Sequence, residues 1–221
     1  MLNKISTSLL TIGLLWFTYS TSAAQTPHHE APHQQQEQAA RHGNNGHQKP
    51  GRPHRPHRPS YFVDSNGVYF DGHQVKGASS MNFKDLGDFY AKDTWNVYYQ
   101  GVKISGASAG SFTVLGDGYA KDTWSVYFNG KKIGDASAGS FQVLKDGYAK
   151  DTWNAYYLGV KISGVSAGSF TVLRDGYAKD TWNAYFDGKK ISGVSAGSFQ
   201  VLKDGYAKDT WSTYYFGKKV K

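Results

Sequence analysis

The chain has 221 residues, no cysteine, and a formal net charge of +8 from 25 basic and 17 acidic side chains. Without thiols it has no disulfides, thiolate metal sites or lipobox cysteine, so packing and sheet hydrogen bonds must hold an exported form together. The basic balance is spread along the chain, which argues against nucleic acid and leaves only weak attraction to anionic headgroups or acidic glycans.

Residues 1–24 read as a secretory signal. Lys4 supplies the charged start, Leu9 to Phe17 a short apolar core, and Ser22-Ala23-Ala24 a small-residue cleavage site. The apolar run is short for a membrane span, and an uncleaved anchor is the alternative. The expectation is an exported protein, periplasmic, cell-surface or secreted, with no transmembrane segment after cleavage. Residues 25–60 form a low-complexity linker rich in His, Gln, Pro, Gly and Arg. So few apolar side chains cannot offset the ordering entropy, and disorder is predicted. Pro50, Pro53, Pro56 and Pro59 recur every three residues, which suits extended polyproline II. The linker holds His28, His29, His33, His42, His47, His54 and His57. Imidazoles are ligands for zinc, copper or nickel, but this irregular spacing fixes no geometry. A solvated tail and weak metal capture are the two readings.

From Tyr61 a repeat takes over. Tyr-Ala-Lys-Asp-Thr-Trp begins at Tyr90, Tyr119, Tyr148, Tyr177 and Tyr206, each 29 residues after the last, and a worn copy begins at Tyr61. A strict period marks a repeat architecture, here six units over residues 61–221 with the last truncated. In the copy from Tyr90, Tyr90 to Asp93 reads as a strand and Asp93 to Asn96 as a turn. Val97-Tyr98-Tyr99 is a strong β run. Gln100-Gly101, which becomes Asn129-Gly130 and Asp187-Gly188, is a hairpin turn, and Val102 to Ile104 returns. A small-residue connection, Gly106 to Ser111, has room for one helical turn. Phe112 to Leu115 is a fourth strand and Asp117-Gly118 turns into the next unit. No stretch shows helical periodicity, so the class is all-β, built of short antiparallel strands. The array starts on a first strand and stops after a third. This makes a three-stranded meander the unit and the Ser/Gly-Phe-x-Val-Leu stretch a joint. An open array is expected, with a propeller-like ring as the alternative, since typical propeller repeats run to about 40 to 50 residues.

The worn copy keeps Tyr61, Asp64, Val68, Tyr69, Phe70, Gly72, Val75, Gly77, Ala78, Phe83 and Leu86, a folding skeleton. It has Asn66 where Trp95 stands and Val63 where Lys92 stands. A unit without its Trp directs attention to Trp95, Trp124, Trp153, Trp182 and Trp211. In one reading each packs on the neighbouring repeat; in the other the indoles form a surface ladder suited to carbohydrate rings or cations, which Tyr98 and its equivalents would widen.

The pattern Asp-x-x-x-Val-Tyr-Tyr, seen at Asp93 to Tyr99, resembles the bacterial DKNYY family. So do Tyr-Ala-Lys-Asp, Tyr-Tyr-x-Gly-x-Lys-Ile and Phe-x-Val-Leu around it. The resemblance covers Tyr61 to Lys221. Most copies carry Thr-Trp, as at Thr94-Trp95, where the family shows Lys-Asn; the worn Asp64 to Phe70 stays closer. The resemblance implies a repeat fold and supplies no catalytic residues.

Asp117 with Asp122, and Asp146 with Asp151, form acidic pairs that suit turn capping better than acid–base work or calcium, with Lys121 and Lys150 beside the second Asp. Ser111, Ser140, Ser169 and Ser198 follow glycine without a nucleophile motif, and His73 is the one histidine of the array. The functional expectation is a non-enzymatic module without cofactor. It would bind a glycan or envelope polymer with many weak sites. The alternative is metal buffering by the His tract.

Overall fold

The computed structural model describes residues 58–221. The expected signal, and the expected linker up to residue 57, lie outside the described residues.

Strands β1 (Tyr61–Asp64), β2 (Gly67–Phe70) and β3 (His73–Gln74) form a three-stranded antiparallel sheet. The second unit lays down β4 (Lys84–Gly87), β5 (Tyr90–Lys92), β6 (Val97–Tyr99) and β7 (Val102–Lys103) side by side in chain order. The third repeats this with β8 (Thr113–Gly116), β9 (Tyr119–Lys121), β10 (Val126–Phe128) and β11 (Lys131–Ile133). Three more four-stranded sheets follow, and no sheet closes into a barrel. There is no α-helix among the described residues, and so no helix long and apolar enough to cross a membrane.

The predicted unit holds only for the first sheet. From the second onward the Phe-x-Val-Leu stretch is no free joint but the first strand of the sheet that follows it. Thr113 pairs with Lys121 and Val114 with Ala120. The preceding Phe112 stays out of the strand and is buried between sheets. Two of the small-residue connections hold a single 3-10 turn, Ala167–Ser169 and Ala196–Ser198, as their length allowed.

Successive sheets pack face to face, so the central strands are buried on both sides. Tyr90, Val97 and Ile104 of one unit meet Ala120 and Tyr127 of the next, with Ala109 and Phe112 filling the gap. The same set recurs at the following junctions. Phe112 lies 5.5 Å from both Tyr90 and Tyr127 by ring centroid, so one aromatic bridges two units. The alanine of each Tyr-Ala-Lys is the small partner that lets the preceding sheet approach.

A tyrosine hydroxyl fastens each junction. Tyr90 donates to the Gly118 carbonyl at 3.0 Å and accepts the Gly130 N–H at 2.9 Å. Tyr61, Tyr119, Tyr148 and Tyr177 make the same two bonds to the unit after them. Gly130 is required twice over. With Asn129 at φ 47° it forms the left-handed hairpin turn at φ 75°, and a Cβ there would lie 2.7 Å from the Tyr99 ring.

The last described sheet leaves its outer face exposed, which fits an open array. Tyr90, Tyr119, Tyr148 and Tyr177 are fully buried by the following unit, whereas Tyr206 is 42% exposed, with Tyr215 at 41% and Phe216 at 47%. A closed ring would cover that face.

Candidate functional site

The Asp-Thr-Trp turn joins the second and third strands of each four-stranded sheet, beside the connection that enters the sheet. Asp122 builds it. Its Oδ1 accepts the N–H groups of Trp124 and Ser125, both at 2.8 Å. Its Oδ2 accepts the Ser108 N–H of the preceding connection at 2.9 Å and the Tyr127 hydroxyl at 2.9 Å. Asp93, Asp151, Asp180 and Asp209 hold the same four donors. Burial pushes the Asp93 carboxyl up, but the donors from Ser79, Trp95, Tyr98 and Asn96 outweigh it and hold it at about 2. Asp122, Asp151, Asp180 and Asp209 are lowered by the same balance. In return, burial first and the Asp122 carboxylate second push the Tyr127 hydroxyl up to about 12.

These contacts place the acidic pairs, lysines and serines that the sequence singled out. Asp117 and Asp122 stand at opposite ends of β9, one in a left-handed turn at φ 52° and the other buried under its donors. The lysines do not compete for the aspartate, as their sequence position implied. Lys121 donates to the Ala138 carbonyl at 2.9 Å and Lys150 to the Phe170 carbonyl at 3.3 Å, both in the following connection. Ser111, Ser140, Ser169 and Ser198 accept the N–H of Thr123, Thr152, Thr181 and Thr210, seating each turn on the connection before it. Tyr98, Tyr127, Tyr156, Tyr185 and Tyr214 are buried against the aspartates, so they do not widen an aromatic platform.

The Tyr, Ala, Lys and Asp of the repeated phrase therefore each have a junction to hold. The indole has none. Trp95, Trp124, Trp153, Trp182 and Trp211 are 75–82% exposed, one at the same position of each of five units. The reading in which each packs on a neighbouring repeat is set aside. Their backbone is nonetheless fixed, because every Trp N–H is bound to its aspartate at 2.7–2.8 Å. The aspartate network across each junction escaped sequence reasoning. Its one signal was a serine placed 14 residues before every buried Asp.

The candidate metal ligands His28, His29, His33, His42, His47, His54 and His57 lie outside the described residues. His73 is exposed, with Nδ1 3.0 Å from the Asp71 carbonyl oxygen. Among the described residues no group of three or more His, Asp or Glu is placed to hold a metal ion.

The model of the DKNYY family matches residues 57–159 and again 89–219, two overlapping spans as a tandem array produces. No curated protein and no solved structure matches the chain.

Proposed function

The chain belongs to the DKNYY family, and from that premise we propose that its array is a non-enzymatic, multivalent binding module of the bacterial envelope, directed at a glycan or another envelope polymer. The observation that carries this reading is the series of five indoles, exposed and held on rigid turns. A large apolar ring facing water is a binding element when it recurs in register. The flat face of indole stacks on the C–H face of a sugar ring. Repetition favours binding over catalysis, since a reaction needs one constellation of different groups and this surface offers one constellation five times. Five weak sites on one chain give avidity toward a repetitive ligand. The signal-like segment at residues 1–24 supports the envelope as the setting.

Changing Trp124, Trp153 and Trp182 together to Ala tests the reading. The side chains are exposed, so the β circular dichroism and the melt should hold within about 1 kcal/mol. Binding to envelope polysaccharide in affinity electrophoresis should fall by about tenfold or more. An unfolded triple variant would make the indoles structural, and unchanged binding would remove them from the site.

A further inference from the structure

The geometry points to a ligand that runs along the array: an unbranched, uncharged polysaccharide in extended conformation, spanning about two sugar rings per unit. This rests on the binding-face reading above and names its ligand class.

Indole and connection occur together. The five tryptophans belong to the five units that follow a small-residue connection, and the first unit, with no such connection before it, has Asn66 in the Trp position. Each Trp turn is seated on that connection through the aspartate bond, and the turns of Trp124, Trp153, Trp182 and Trp211 also through the serine bond, described above. Beside the turn of Trp153 the seating leaves a groove of about 370 Å³. Ser140 lines it from the connection before the unit, Gln142, Lys150, Asp151 and Thr152 from the unit itself, and Ala167 and Gly168 from the connection after it. The groove therefore crosses the unit from one junction to the next, in the direction of the array.

Its lining selects for hydroxyls over charge. Ser140 and Thr152 bring hydroxyls and Gln142 an amide, which donate and accept equally. The Lys150 amine is turned to the Phe170 carbonyl, and Asp151 is buried beneath four donors. The exposed aspartates of the turns before each Tyr-Ala-Lys, Asp88, Asp117, Asp146, Asp175 and Asp204, lie at the other end of the strands. The step also fits. Sheets packed face to face repeat at about 10 Å, close to the length of two pyranose rings joined through equatorial bonds. Every second ring of such a chain presents the same face, so one indole per unit meets one ring of each pair.

Calorimetry on the full chain with β-1,4-linked N-acetylglucosamine and glucose oligomers of two, four, six and eight rings tests this. The expected result is affinity that climbs with length, about tenfold from two rings to six. Gln142→Ala, an exposed change in the groove, should weaken binding of the longer oligomers and leave the melt unchanged. Affinity that levels off at two rings, yet is lost in the Trp124, Trp153, Trp182 variant, overturns the continuous track while the indole face stands. Binding that survives in that variant sinks the indole face itself. Preference for polyuronate over these neutral oligomers overturns the uncharged ligand.

Discussion

The first unit and the units after it share a backbone plan and differ in what their outer faces must meet. In the second to sixth units Ala91, Ala120, Ala149, Ala178 and Ala207 lie fully buried under the sheet before them. Among the described residues the first unit has no sheet before it, and it carries Phe62 in that place, 48% exposed and stacked on Tyr69 at 4.8 Å and 12°. A Cβ on Gly72 would meet nothing within 4 Å, where one on Gly130 would run into Tyr99 of the preceding unit. Tyr61, whose work is toward the following unit, is retained with both of its bonds. Tyr61 and Phe62 sort by direction, the residue serving the next junction kept and the one receiving a previous sheet replaced, but Asp64, Tyr69 and Gly72 are kept although their equivalents Asp122, Tyr127 and Gly130 meet the unit before. Val63 in place of the lysine is not explained by this rule, since a following connection is present.

The comparison breaks hardest at the turn aspartates. Asp151 satisfies two N–H groups of its own turn, the Ser137 N–H across the junction and the Tyr156 hydroxyl. Asp64 takes only the N–H groups of Asn66 and Gly67, in an exposed turn. Asp151→Ala should cost about 3 kcal/mol and Asp64→Ala about 1 kcal/mol in urea titrations; equal losses would erase the distinction. The same groups set the acid limit. A carboxyl lowered on folding stabilises the fold above its unfolded pKa, and the contribution is lost as pH falls through the folded value. For Asp93 that window runs from its ordinary 3.8 down to about 2. Melting temperatures should therefore drop steeply between about pH 4 and pH 2, and a flat profile there would contradict the network.

A smaller effect comes from exchanging the two residues that mark an inner and an outer face. Ala120→Phe forces a ring into a closed junction and should destabilise by about 2 kcal/mol. Phe62→Ala removes a half-exposed ring from an uncovered face and should cost about 0.5 kcal/mol. If the two changes melt alike, the first unit is not an end piece.

What was legible in the sequence was local. The turn at Asn129-Gly130 and the capping role of Asp122 depend on residues a few positions apart, and both stand as read. The open array was legible in the 29-residue period, shorter than that of typical propeller repeats. The place of Thr113 and Val114 was not, since their partners Lys121 and Ala120 belong to the following unit. Nor was the direction of the central side chains. A three-residue strand buried on both faces, such as Val126–Phe128, shows no apolar–polar alternation to read. The Lys121 amine was misplaced for the same reason, its carbonyl acceptor lying 17 residues away across a junction. The indoles went against composition itself: apolarity argued for burial, and only the accounting of every other residue in the phrase leaves them outside.

The finest contrast lies between two tyrosines at one position of the repeat. Tyr177 donates to the Gly205 carbonyl and accepts the Gly217 N–H, each at 2.9 Å. Tyr206 lies in the last described unit, where its ring rests on Tyr215 at an exposed face. Only the bond donated to the Gly205 carbonyl needs a protonated hydroxyl; the Gly217 N–H bond favours the ionised form and lowers the group. Burial is the main cause raising the Tyr177 group, and the carboxylates of Asp175 and Asp187 add to it. A raised hydroxyl contributes fully below its ordinary pKa of 10.0 and loses the contribution as pH climbs through the folded value. Tyr177→Phe keeps the ring and deletes the two bonds, leaving a backbone donor and acceptor at the junction without their partner. The expected loss at neutral pH is about 1 kcal/mol, against a change within about 0.5 kcal/mol for Tyr206→Phe. Only the Tyr177 variant should also lose the alkaline fall in stability that this hydroxyl contributes. Paired urea titrations at neutral and alkaline pH read both, and equal behaviour of the two variants would mean that the hydroxyl does not fasten one unit to the next.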